Sequence, residues 1–241
     1  MTYAVLSSKA PCDIVDALNQ LGYTCLLLPP FERLSTPVDT HADMLLFSYK
    51  NYVVTHRDYY TVARDIFDIL DTHCGIEIIL SDDDIRRDYP HDIAYNATVI
   101  GGVLYSNTEH TSKAIKALAD KLSIPKKSTK QGYTACSTLI PTDRHAITAD
   151  PSLSAEYESN GIDICRITNG SVSLPPYDCG FIGGASGVCR DTVYFAGDIN
   201  YHSDASLILS AIKKCKMNAV SLSKRPLLDI GGIKFFDSTN Q

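Results

Sequence analysis

The 241-residue sequence predicts a five-bladed α/β propeller of ββαβ units whose last blade is closed by the N-terminus. Three observations carry the prediction. A strand-strand-helix-strand pattern recurs four times, the two ends of the chain hold complementary fragments of a fifth copy, and joining them leaves no unpaired sheet edge between the ends.

The clearest unit begins at Tyr133. TACSTLIPT alternates as a strand, turns through Asp143 and Arg144, and returns as HAITAD. Asp150 is placed to cap a helix with Pro151 in its first turn, LSAEYESN as its body and Gly161 as its close; IDICRI (162 to 167) follows as a buried strand. Upstream, DMLLFSYKNYVVTH (43 to 56) gives two strands, YYTVARDIFDILDTHCG (59 to 75) a helix ended by glycine, and IEIIL (76 to 80) a strand. IAYNATVIGGVLYSN (93 to 107) and the amphipathic SKAIKALADKLS (112 to 123) supply another unit, with a weak last strand. Downstream, CGFIGGASG (179 to 187) and DTVYFAGD (191 to 198) form a hairpin, SDASLILSAIKKC a helix capped by Ser203, and NAVSLS a strand.

The remnants are LLDIGGIKFF (227 to 236) and, at the other end, TYAVLSS, PCDIVDALNQLG and YTCLLL. LLDIGGI resembles GFIGGAS, and TYAVLSSKAP resembles TVYFAGD and HAITADP, so together they make a fifth unit. The repeats fall at about 39–90, 91–132, 133–177 and 178–224, with 225–241 plus 1–38 as the fifth, in a single domain. A doubly wound sheet is the alternative that βα alternation alone allows.

Composition narrows the function. A net charge of -6 provides no basic stripe for a phosphate backbone, so nucleic acid is not expected as a partner. The KKSTK run at Lys126 to Lys130 reads as a solvated linker. No apolar run reaches membrane-spanning length, and MTYAVLSSKAPCD lacks the pattern of a leader, so no membrane association and a cytoplasmic location are expected. The eight cysteines are scattered singly without a CxxC pair, which argues against a metal site and for thiols that are mostly small core side chains. No cofactor is expected. A small-molecule ligand is the expected partner, and the sequence leaves protein partners and homo-oligomers open.

Five ββαβ units around a pseudo-fivefold axis resemble the pentein superfamily, which includes arginine deiminases, amidinotransferases, dimethylarginine hydrolases and agmatine deiminases. More narrowly, KQGYTACSTLIPTDRHAITAD, LPPYDCGFIGGASG and the terminal LLDIGGI are similar to an uncharacterised family of short bacterial pentein-like proteins. The Gly183-Gly184 hairpin resembles the Glu-Gly-Gly element with which guanidine-modifying members hold substrate, although Ile182 stands where the acid belongs. The resemblance also implies a His-Cys pair near the C-terminus. Lys234, Phe235 and Phe236 occupy that stretch, and no cysteine follows Cys215.

Matching positions of the five first strands should meet at the axis. Alignment puts Asp43, Asn96, Cys136 with Ser137, Cys179 after Asp178, and Asp229 near those strand starts. With Gly183 and Gly184 these are the candidate ligand-binding residues, and the aspartates suit an amine or guanidine. Their plainer reading is as turn caps between units. Cys136 starts a strand in a polar context; it reads either as a core thiol or as a nucleophile served by His145 across its hairpin or by His202 near the channel mouth. His56 and His110 read as surface residues. Two functions follow: a pentein binding a small cationic or amino-acid-like ligand without deiminase activity, or a Cys-dependent hydrolase or transferase of guanidines or amidines.

Overall fold

A computed structural model describes residues 1–239. Five three-stranded sheets form, one for each expected unit. Blade 1 comprises Leu46–Tyr49, Tyr52–His56 and Glu77–Ser81, and blade 2 Thr98–Ile100, Val103–Ser106 and Lys126–Ser128. Blade 3 comprises Thr138–Thr142, His145–Thr148 and Asp163–Arg166, and blade 4 Ser186–Cys189, Thr192–Phe195 and Asn218–Ser221. In every blade the first strand runs antiparallel to the second, which runs parallel to the third. A parallel pair needs a crossover, and each blade supplies it as a helix. These helices include Arg64–Cys74, Lys113–Lys121, Pro151–Ser159 and Ala205–Lys214.

Blade 5 is assembled from both ends of the chain. Lys234–Asp237 pairs antiparallel with Thr2–Ser7, in register from Thr2 opposite Asp237 to Val5 opposite Lys234. Thr2–Ser7 pairs parallel with Tyr23–Leu28 across the helix Cys12–Gln20. The central strand is buried throughout, as a strand flanked on both sides must be. The seam is pinned at its rim, where Thr2 Oγ1 donates to Asp237 Oδ1 at 2.5 Å and Arg190 of blade 4 donates to the same oxygen at 3.0 Å.

Several elements differ from the sequence expectation, each for a local reason. The first strands start later: residues 42–45 form a helical turn, and 134–137 and 182–185 are turns. Their main chain bends toward the axis and bonds to neighbouring blades rather than extending the ladder. Lys126–Ser128 is not a linker but the third strand of blade 2, exposed at all three residues and therefore without an apolar signature. The helix expected over 59–75 breaks at Ala63 into Arg57–Val62 and Arg64–Cys74. Asp204, not Ser203, precedes the last helix, and Asn160 rather than Gly161 caps the blade 3 helix, with Gly161 one residue on at φ +77°. Of the cysteines, Cys74, Cys136 and Cys189 are buried, Cys12 is exposed and the rest are partly buried.

A closed set of hydrogen bonds joins the five blades at the axis. Asn96 Nδ2 of blade 2 donates to the Asp43 carbonyl of blade 1 at 3.1 Å, and Asn96 Oδ1 accepts from the Ala135 N–H of blade 3 at 2.8 Å. Gly184 N–H of blade 4 donates to Cys136 O (3.1 Å), and Gly232 N–H of blade 5 to Gly184 O (2.7 Å). Asp43 N–H closes the circle on Gly231 O at 3.1 Å. These approaches demand glycine: a Cβ on Gly183 would lie 2.4–2.6 Å from the carbonyl oxygens of Ala135, Cys136 and Thr138, and one on Gly231 2.2 Å from His41 Cβ. Asn96 alone supplies two links from one side chain. Asn96→Ala leaves buried N–H and C=O groups unpaired and should lose roughly 3 kcal/mol in urea denaturation; a loss under roughly 1 kcal/mol would show that the ring does not depend on this residue.

Candidate functional site

Inside this ring lies a cavity of about 190 Å³, lined among others by His41, Asp92, Tyr133, Cys136, Phe181 and Asp229. Every blade contributes, because each chain turns inward just ahead of its first strand. Leu174, Tyr177 and Cys179, from the loop leading into blade 4, form one side. A wider groove shares His41, Leu174 and Asp229 with the cavity.

Asp229 is the best-held group. Its Oδ2 accepts the Phe181 N–H at 2.9 Å and its Oδ1 the Gly231 N–H at 3.0 Å. Gly184 makes room for it, since a Cβ there would stand 2.0 Å from Oδ1. Burial and then the charge of Asp43 push the Asp229 carboxyl up to about 7, against the two N–H donors. His41 Nδ1 lies 3.6 Å from Asp229 Oδ1, and burial lowers the His41 pKa, which favours the neutral ring. Asp92 accepts the Tyr133 hydroxyl on Oδ2 at 2.8 Å; its buried Oδ1 finds no donor, and burial raises its pKa. Neither oxygen of the buried Asp43 carboxylate meets an N–H or O–H donor, and the Cys136 thiol is its hydrogen-bonding neighbour. Asp43 lines a second cavity of about 250 Å³ that shares no residue with the first and includes Gly183, Gly231, Gly232 and Lys234.

Cys136 is buried at the axis with Asn96 Nδ2 2.8 Å from its sulfur. Burial, followed by the charges of Asp43 and Asp229, pushes the thiol well above its ordinary value. Carboxylates disfavour a thiolate, so the surroundings oppose the activation that a nucleophilic cysteine requires.

The structure brings Asp43, Asn96, Cys136, Gly183, Gly184 and Asp229 together at the axis. Asp229 caps a turn through the Gly231 N–H and also lines the cavity. Asp178 is exposed, and its neighbours Tyr177 and Cys179 line the cavity in its place. His145 does not join Cys136. Its Nδ1 shares a 2.7 Å hydrogen bond with Thr142 Oγ1, its Nε2 lies 3.7 Å from Asp163, and it borders a groove between blades 3 and 4. His202 and Ser137 line a separate cavity beside the axis. His56, expected at the surface, is buried, with Nδ1 accepting the Asp58 N–H at 3.0 Å and Nε2 3.1 Å from Asp83 O; His110 is half-buried. His41, Asp92, Tyr133, Tyr177 and Phe181 were not among the expected site residues. The available signal was positional: His41, Tyr133, Phe181 and Asp229 each lie five residues before the first residue of their blade's first strand.

Five ββαβ blades about an axial cavity give the chain a pentein-type fold. The chain belongs to the Family of unknown function (DUF6873), whose sequence model it matches over residues 5–234. No curated protein matches the sequence. Among solved structures, C. jejuni agmatine deiminase is similar at a TM-score of 0.57 and 9% identity, covering 98% of this chain and 93% of that one. DDAH from Pseudomonas aeruginosa, complexed with citrulline, is similar at 0.53 and 12% identity, covering 92% and 91%. An amidinotransferase of saxitoxin biosynthesis from Microseira wollei matches at 0.53 and 11%, covering 91% and 78%. At these identities the likeness is one of fold. Among the described residues, no helix is long and apolar enough to cross a membrane, and no cluster of three or more His, Cys, Asp or Glu residues is arranged to hold a metal ion.

Two measurements address the site's electrostatics. An unfolded aspartate titrates near ~3.9, whereas folded Asp229 titrates at about 7. Between these values the folded state keeps a proton that the unfolded chain has released, so stability falls as pH rises from about 4 to about 7. Asp229→Asn should remove this part of the slope; neutral His41 contributes the opposite slope, so the quantity to read is the difference between wild type and variant. Second, iodoacetamide at pH 8 should label Cys12 in the native protein and leave Cys136 unlabelled. Labelling of native Cys136 at the rate of an ordinary thiol would contradict the protected, protonated state assigned to it.

Proposed function

We propose that this protein binds a small organic cation, an amine or a guanidine, in the axial cavity and does not carry out deiminase chemistry. The observation that carries the reading is the pairing of Asp92 and Asp229 in one cavity whose lining includes Tyr133, Tyr177 and Phe181 but no Lys or Arg. Aromatic faces attract cations, and buried carboxylates with raised pKa values are stabilised in the charged form by one. Binding would therefore displace a proton from Asp229. The pentein neighbours are enzymes of guanidino groups, which makes a guanidine a natural probe.

Covalent chemistry lacks its parts. Phe235 packs against Tyr23 and Tyr194 at 5.0 and 5.4 Å between ring centroids, and Phe236 is buried in the core. Both stand where the resemblance implies a His-Cys pair, and burial with the nearby carboxylates pushes the Cys136 thiol well above its ordinary value.

Calorimetry with agmatine, methylguanidine and putrescine tests the reading. At least one should bind, with affinity rising as pH approaches 7 and levelling above it. Asp229→Asn and Asp92→Asn should each weaken binding about tenfold or more, the scale expected for a charge-assisted hydrogen bond of about 1.5–3 kcal/mol. Heats indistinguishable from dilution for all three compounds would sink the proposal, and formation of a ureido product would restore the enzymatic alternative.

A further inference from the structure

Between blades 3 and 4 lies the separate cavity beside the axis, also of about 190 Å³, whose lining includes Gln131, Ser137, Asp150, Thr168, Phe181 and His202. It holds room for roughly a dozen water-sized groups. Ser137 and His202 are 3% and 4% exposed. The Ser137 hydroxyl has no hydrogen-bond partner, although a buried polar group normally has one. His202 is similarly incomplete. Its Nδ1 accepts the Asp204 N–H at 3.0 Å, so the neutral ring carries its proton on Nε2, which meets no acceptor among the described residues. Two donors on buried residues, of which the Ser137 hydroxyl is itself buried, therefore border one space without acceptors.

The opposite character comes from Asp150. Its Oδ1 is spent on the Leu153 N–H and the Ser152 hydroxyl at 2.8 and 2.6 Å, whereas its Oδ2 accepts only Gln131 Nε2, at 2.8 Å. Ile167, Val172, Ile182 and Phe181 supply an apolar surround. The walls are fixed rather than slack, because Thr168 bonds to Ser203 Oγ at 2.8 Å and Asp204 Oδ2 at 2.6 Å, while Ser171 Oγ lies 3.1 Å from Ser203 Oγ.

We propose that this cavity is a second binding site, for the uncharged amide group of a small carboxamide, with the carbonyl oxygen facing Ser137 Oγ and His202 Nε2 and the amide N–H groups facing Asp150. A carboxylate would meet the donors equally well but would be repelled by Asp150, which selects the amide over the acid. Phe181 forms part of both cavities, and its N–H holds Asp229. The two sites are neighbours but use different polar groups, so the second stands whether or not the axial cavity takes a cation.

The test is titration of the full chain with acetamide and, separately, with acetate, followed by amide chemical shifts in ¹⁵N-labelled protein. Acetamide should shift the signals of residues 137, 181 and 202, and acetate should bind at least tenfold more weakly. Ser137→Ala and His202→Phe should each weaken acetamide about tenfold, whereas Asp229→Asn should leave it within twofold. Ser137→Ala removes a hydroxyl without a partner and should not lower Tm, so it keeps the test valid even if His202→Phe fails to fold. No saturable shift at these residues, unchanged affinity in Ser137→Ala, or acetate binding as well as acetamide would overturn the proposal. Loss of agmatine binding alone would count against the axial cation site and leave this one intact.

Discussion

The closed hydrogen-bond ring at the axis is the constraint on which the rest of this structure depends. Each blade by itself is a three-stranded sheet with its crossover helices, too small to bury a core. The ring brings the five within backbone contact, so that helices and sheets from successive blades share continuous apolar clusters. The largest cluster runs from Val5 and Phe236 of blade 5 through Phe67 and Tyr95 to Cys136 of blade 3. Three of the five links are main chain to main chain, from Cys136 to Gly184, Gly184 to Gly232, and Gly231 to Asp43. Such short approaches exclude a Cβ, which is why the glycine pairs sit in blades 4 and 5 and a side chain, Asn96, bridges the wider gap across blade 2.

The same closeness creates the electrostatics. Turning five chains inward puts Asp43 and Asp229 near each other in a space from which water is largely excluded, and like charges there cannot both ionise freely. The backbone offsets part of the cost by pointing the Phe181 and Gly231 N–H groups at Asp229. The rest appears as a carboxyl that titrates near neutrality, a histidine favoured in its neutral form and a thiol favoured in its protonated form. A cation entering the axial cavity relieves this tension, whereas generating a thiolate there would increase it.

The architecture was legible because its signals are periodic. Alternation in TACSTLIPT and DTVYFAGD, helix spacing in DIFDILDTHC and the complementarity of LLDIGGI with TYAVLSS required only recognition of a repeat. What stayed hidden was non-periodic. The Lys126–Ser128 strand is polar and exposed, so hydrophobicity does not mark it, and it is held by pairing with Leu104 to Ser106. The inward turns at 42–45, 134–137 and 182–185 look like strand residues because they carry the same apolar types, yet they bond across blades instead of along them. Taking them as strand displaced the expected site by a few residues, and it pointed to Asp178 while missing His41 and Asp92. His145 was drawn in by sequence proximity to Cys136, but a hairpin directs its ends along the strands, and His145 lies at the outer end of its pair, opposite Thr142.

The resemblance to guanidine-modifying penteins implies a His-Cys pair in the C-terminal segment. Here that segment serves the seam that closes the ring. Phe235 forms an aromatic cluster with Tyr23 and Tyr194, joining blade 5 to blade 4, while Phe236 carries the last strand into the main core. An unmade His-Cys pair at this position would leave polar groups in a dry junction; phenylalanine instead contributes apolar burial where the two chain ends must stay together. With that segment committed to closure, the polar groups at the axis are those that the ring itself presents, Asp229 above all. Its geometry is fixed by the backbone of blades 4 and 5, and its charge is governed by burial, by Asp43 and by the two N–H donors. Under the proposed cation reading, stability and ligand affinity are coupled through one carboxyl group, since ionising it weakens the free protein and would equip it to hold a cation.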